Sequence, residues 1–163
     1  MKIKILKLGT IVKDSATGVE GMLTIVATDM DGSHLYMFQP RGLNPKTGAP
    51  VDRMVIATAR IVGGEEIEVD LPVEILGTIA EDLATGFTGM IIQLDYHING
   101  CIHVDIKPVG VIAETGTTIE SQSFDLRRIK GDKIKPLAEE ALEESKKKTP
   151  SPELGGVKRE IKS

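Results

Sequence analysis

Shifted by 68 residues, the chain matches itself without a gap from Leu8 to Gly63, with 18 of 56 positions identical. LGTIVKDSATGVEGM recurs as LGTIAEDLATGFTGM. An internal repeat constrains the fold before any local signal is read, because each copy must adopt the same small unit. Many shared residues are turn formers: Gly18, Gly21, Gly32, Gly42 and Gly48 all recur. Glycine reaches positive φ without steric penalty, so these positions read as backbone requirements of a tightly turned fold. Thr17-Gly18-Val19-Glu20-Gly21 is not a phosphate loop, since it lacks GK[ST] and no helical pattern follows it.

Between the glycines the pattern is that of strands. Residues 19–28 and 33–40 flank Asp31-Gly32, and residues 87–96 and 101–108 flank Asn99-Gly100. Asp-Gly and Asn-Gly between alternating strands predict hairpins with two-residue type I′ turns. A polar loop, RGLNPKTGAPVDR, and a further strand, MVIATARI or QSFDLRRI, complete each copy. Each copy opens on one strand, IKILKLGTIVKD or its mate VEILGTIAED, and GGEEIEVDLPVE reads as a strand joining the copies. Four to five short strands in roughly 60 residues predict a small, strongly bent barrel. The expected architecture is mainly β: two tandem SH3-like or Tudor-like antiparallel barrels, a short C-terminal α-helix and an extended tail. The expected divisions are 1–66, 67–131 and 132–163.

The second copy, DLATGFTGMIIQLDYHINGCIHVDIKP, resembles small proteins of tailed phages and prophages. Their signature runs D-x-V-T-G-F-x-G, a strand ending in Tyr, then N-G-C or T-G-C and another strand. Asp82, Thr85, Gly86, Phe87, Gly89, Tyr96, Asn99, Gly100 and Cys101 match it. The first copy departs at Val19, Thr28 and Ser33. The resemblance covers both copies and not the tail. It implies a phage setting, in the virion or the host cytoplasm, and an SH3-like barrel. It implies no activity and transfers no catalytic residue.

The copies differ in one systematic way. Separating alternate residues of each strand gives one face that is apolar in both copies, pairing Tyr36 with Val104, Phe38 with Ile106, Val26 with Leu94 and Ile56 with Phe124. That face is the expected core. On the other face Ile25, Ala27, Leu35, Met37, Val55, Ala57 and Ala59 of copy one correspond to Gln93, Asp95, His103, Asp105, Ser123, Asp125 and Arg127 of copy two. Copy two alternates as a half-solvated sheet should, and copy one does not. Contiguous apolar faces are uncommon on soluble monomers, so this one is expected to be covered. The candidates are copy two, the tail, another subunit or a partner protein. Burying it removes several hundred Å² of apolar surface, on the order of 10 kcal/mol before entropic costs.

Residues 132–163 change character. Pro136 suits a first helical position, and Leu137, Ala138, Ala141, Leu142 and Ser145 share a helical face. Glu139 and Glu140 precede Lys146, Lys147 and Lys148, the order a helix dipole favours, and Thr149-Pro150 ends the pattern. In the following SPELGGVKREIKS, Leu154, Val157 and Ile161 are scattered anchors for an arm that orders on a neighbouring subunit.

Charge and composition narrow the function. Residues 1–131 hold 12 basic and 17 acidic residues, net −5, and the chain has two Tyr, three Phe and no Trp. A phosphate-binding groove should be basic and a base-stacking one aromatic, so nucleic acid is not an expected partner. No apolar run approaches the ~18 residues of a membrane span, and no signal-peptide pattern opens the sequence. The single cysteine excludes an intramolecular disulfide.

Asp95, His97, His103, Asp105 and Asp125 could group as metal ligands, but they also read as a solvated sheet face with no His103 or Asp105 counterpart in copy one, and no metal or cofactor is expected. Cys101 beside His97 or His103 could be a nucleophile and base, but it follows a turn glycine and has Ser33 as its mate, which reads as a small packed residue. His34 is expected inside the first barrel or at its edge. No nucleophile-elbow, HExxH or triad pattern is present, so no enzyme and no catalytic residue is expected. The expected role is protein–protein contact in a homo-oligomer or with capsid or tail proteins. The alternatives are a pocket that sequesters a host defence nucleotide through the duplicated Arg60, Arg128, Thr17 and Thr85, and a Cys101 hydrolase.

Overall fold

The computed structural model describes residues 1–134. The expected C-terminal helix and the anchors Leu154, Val157 and Ile161 lie outside the described residues. The protein is mainly β with open sheets, and the described residues hold no helix of seven or more residues.

The described residues form twelve strands in order: β1 Lys2–Leu6, β2 Ile11–Asp14, β3 Glu20–Asp29, β4 His34–Pro40, β5 Met54–Ala57, β6 Ile61–Val62, β7 Glu66–Asp70, β8 Ile79–Asp82, β9 Thr88–His97, β10 Ile102–Lys107, β11 Gln122–Asp125 and β12 Ile129–Gly131. The 68-residue shift maps β2, β3 and β5 onto β8, β9 and β11, and the 3-10 turn Thr58–Arg60 onto Leu126–Arg128. Each copy is a meander of five antiparallel strands, β6-β2-β3-β4-β5 and β12-β8-β9-β10-β11. β3 then pairs with β9, which joins the copies into one ten-stranded sheet.

Alternation along the strands builds two cores on one side of this sheet. Leu23, Val26, Tyr36, Phe38 and Ile56 fill the first, and Ile91, Leu94, Val104, Ile106 and Ile129 the second. A bulge in β3 between Leu23 and Ile25 resets the alternation, so Val26 and Thr28 continue the inward row while Ile25 and Ala27 turn outward. β9 and β10 carry the matching irregularity. The buried Tyr36 hydroxyl is satisfied by the Leu6 N–H, which donates to it at 2.8 Å.

Three expectations change. The opening segment is two strands rather than one. β1 pairs with β7 in a separate ribbon that covers the first core with Ile3, Ile5, Ile67 and Val69. Opposite charges face across it, Lys2 to Asp70 and Lys4 to Glu68. The mate of β1 carries Pro72 and forms a 3-10 turn, Val73–Ile75, because proline removes a ladder donor. The hairpin turns also differ. Among the described residues none other than glycine has positive φ, which excludes type I′. Instead Asp29 N–H donates to Ser33 O and Gly32 N–H to Asp29 O, with Gly32 at φ +81. His97, Cys101 and Gly100 repeat this three-residue loop. A glycine in the left-handed region is needed at only one place in such a loop. Finally, Gly21 is not a turn residue. It has ordinary φ within β3, and a Cβ there would stand 2.5 Å from the Gln39 carbonyl oxygen and 2.6 Å from the Phe38 ring.

Candidate functional site

The seam between the copies is its own image. Ile25 faces His97 and Asp29 faces Gln93, and Gln93 is the counterpart of Ile25 as His97 is of Asp29. Exchanging the copies therefore returns the same pairing, with a local two-fold axis through the Ala27–Asp95 pair. The hairpin tips reinforce it reciprocally: the Ile98 side chain lies over Gly9, and Met30 over Gly77.

An axis of this kind leaves both outer faces on the same side of the sheet. The six strands β5-β4-β3-β9-β10-β11 present one row that reads Ala57, Leu35, Ala27, Asp95, His103, Asp125. Beside it run Val55, Met37, Ile25 and His97. The apolar half and the polar half are thus two ends of one surface. Copy two continues the surface sideways as its polar half and does not cover the apolar half. Val55 is 54% exposed and Ala57 is exposed, while Ile25, Ala27, Leu35 and Met37 are half-buried. Ala59 does not belong to this face. It sits in the 3-10 turn after β5, where the strand alternation has ended. Its mate Arg127 turns back onto Asp125.

At the seam the face is concave. A hollow of about 200 Å³ is walled by Ile25, Ala27, Leu35, Met37 and Val55 on one side and by Gln93 and Asp95 on the other. Burial pushes the Asp95 carboxyl above its ordinary range. The Gln93 amide donates to it at 2.7 Å and opposes that shift, as His103 does, while Asp105 and Asp29 add to it. The His97 and His103 rings lie 4.5 Å apart, and burial together with His103 lowers the His97 pKa. Among the described residues His97 Nε2 and Asp105 Oδ1 are buried without a hydrogen-bond partner. Arg127 holds the Asp125 carboxyl at about 2. Among the described residues no three of these side chains converge as metal ligands.

Thr17, Arg60, Thr85 and Arg128 each hydrogen-bond a buried carboxylate of their own copy. Asp14 and Asp82 are fully buried, and each is held by its own copy's arginine. Arg60 Nε and Nη2 donate to Asp14 at 2.9 and 2.6 Å, and Arg128 to Asp82 at 2.8 and 2.7 Å. Thr17 and Thr85 hydroxyls donate to the same carboxylates at 2.7 and 2.6 Å. These are two copies of an internal latch that ties the 3-10 turn before the last strand to the end of β2 or β8 and the turn that follows it. A planar guanidinium matches a carboxylate in this bidentate way. The two aspartates were missed as functional positions in the sequence. Their signal was the joint recurrence of Asp14, Thr17 and Arg60.

A larger hollow, about 420 Å³, does lie between the first hairpin turn and segment 73–76, lined by Thr28, Asp29, Asp31, His34, Val73 and Glu74 among others. Its lining includes none of Thr17, Arg60, Thr85 and Arg128. His34 Nδ1 lies 3.1 Å from the buried Thr28 hydroxyl. Cys101 is half-buried beside Asn99, Asp125 and Arg127, around a hollow of about 290 Å³.

Searches against protein-family models, curated proteins and solved structures return no match.

Proposed function

We propose that this is a non-enzymatic protein of phage type that acts through protein–protein contacts, as a virion accessory component such as a capsid decoration or tail/neck protein. The observation that carries the reading is the apolar half of the outer face, open at Val55 and Ala57 and continuous across β3, β4 and β5. Its dyad-related half is polar, so the same backbone tolerates a hydrated face, and the apolar one is a specific property of copy one. Surfaces of this kind mark contact sites. The phage setting comes from the resemblance of the second copy. Each copy is proposed as an SH3-like unit: its strand order β6-β2-β3-β4-β5, with a 3-10 turn before the last strand, supports that assignment. The assembly is proposed to be homo-oligomeric, in the particle or the host cytoplasm.

Mass spectrometry of purified phage particles tests the role. The chain is expected in particles at a fixed ratio to a capsid or tail protein. Particles that lack it and form normally when its gene is deleted overturn the proposal.

A further inference from the structure

We propose that the hollow at the seam is the docking site of this chain's own C-terminal segment, residues 154–162, with Arg159 placed against Asp95 and with Val157 and Ile161 on the aliphatic wall. The inference rests on the reading of the outer face as a contact surface and names its occupant.

Two observations select that occupant. The first is charge and shape. The hollow combines five aliphatic side chains with a half-buried carboxylate, and that carboxylate stands near Asp29 and Asp105. It asks for a segment whose one side carries a cation between two aliphatic groups. In an extended chain alternate residues share a side. In VKREIKS that places Val157, Arg159 and Ile161 together, apolar, cationic, apolar. The opposite side, Lys158, Glu160 and Lys162, stays polar as the solvent side of a docked strand should. Arginine suits the task, because its guanidinium pairs bidentately with a carboxylate while its stem lies along apolar surface.

The second observation is reach. The described chain ends at Ile134, bridged to Gly131 beside the second core. Val157 lies 23 residues further on. An extended connection of that length spans roughly 75 Å. That is several times the ~14 Å radius of gyration of a compact unit of this size. The segment therefore reaches the hollow on its own molecule and on a neighbouring copy.

Met37 lines the hollow and its ε-methyl is a direct reporter. The experiment is methionine-methyl NMR on the full chain, with a nitroxide on Ser163→Cys in a Cys101→Ser background. The Met37 resonance is expected to broaden while Met90 stays sharp. The broadening should vanish with Arg159→Glu and return in the Asp95→Arg/Arg159→Glu pair. Asp95→Asn gives a milder test in which it weakens. In a mixture of spin-labelled and isotope-labelled chains, broadening that persists comes from a neighbour's arm, and broadening that disappears comes from the chain's own; both support the docking. A sharp Met37, or broadening indifferent to Arg159→Glu, overturns it. Failure here leaves the contact-surface reading standing if Val55→Lys still removes the chain from particles. Failure of that reading alone leaves Met37 broadened and particle content unchanged by Val55→Lys.

Discussion

Asp14 and Asp82 are buried completely and stay ionised because each carboxylate is surrounded by donors from its own copy. Removing Arg60 or Arg128 leaves a buried charge without its partner, which is a costly change. Arg60→Ala and Arg128→Ala are each expected to lower Tm by more than any exposed Lys→Ala, read by thermal melts. The guanidinium holds both carboxyls below their usual range. Their stabilising contribution is therefore fully present above the unfolded-state pKa of about 4 and is lost as pH falls below it. Asp95 has the opposite sign. Its raised pKa means that ionisation costs stability in the folded state, so in the Arg159→Glu background, where no arm cation faces it, Asp95→Asn should raise Tm at pH 7, with the gain fading as pH falls through the raised folded-state pKa and gone below about 4. Melts between pH 3 and 8 check both. The sequence shows Asp14, Thr17 and Arg60 recurring together. It could not show that they meet, because 46 residues separate the aspartate from its arginine.

At the scale of strands, the hairpins and the inward rows were readable because alternation and Asp-Gly or Asn-Gly are local signals. The form of the turn was not, since a two-residue and a three-residue loop differ only in which pairs close the ladder. Gly89 illustrates another limit. A glycine in a strand suggests a close approach, but only the fold shows what approaches. A Cβ on Gly89 would collide with the Lys107 carbonyl oxygen. Gly89→Ala is expected to cost on the order of 3 kcal/mol, measured by urea unfolding. Gly110→Ala, where a Cβ meets open space, should cost less, limited to its positive φ. The β1–β7 ribbon was hidden because its partners are the chain start and the connection between copies. Pro72 explains why copy two has a 3-10 turn there.

At the scale of the molecule, the seam was the least legible feature. Nothing local in residues 25–29 says that they pair with 93–97 rather than with solvent. Once the pairing is known, the divergence of the copies becomes a division of one surface into an apolar and a polar half. Five β3–β9 pairs and five β1–β7 pairs bridge the Gly63-Gly64 connection. Fragments 1–63 and 64–163 are therefore expected to co-elute in size-exclusion chromatography when coexpressed, and separate elution would contradict the seam. The apolar half is proposed as the contact surface of the molecule. Val55 and Ser123 occupy dyad-related positions on edge strands and are both exposed, so lysine at either should be equally tolerated by the fold. The direct measurement is the amount of chain in purified particles for Val55→Lys and Ser123→Lys. Loss is expected with Val55→Lys and retention with Ser123→Lys. Equal retention of both variants would contradict it.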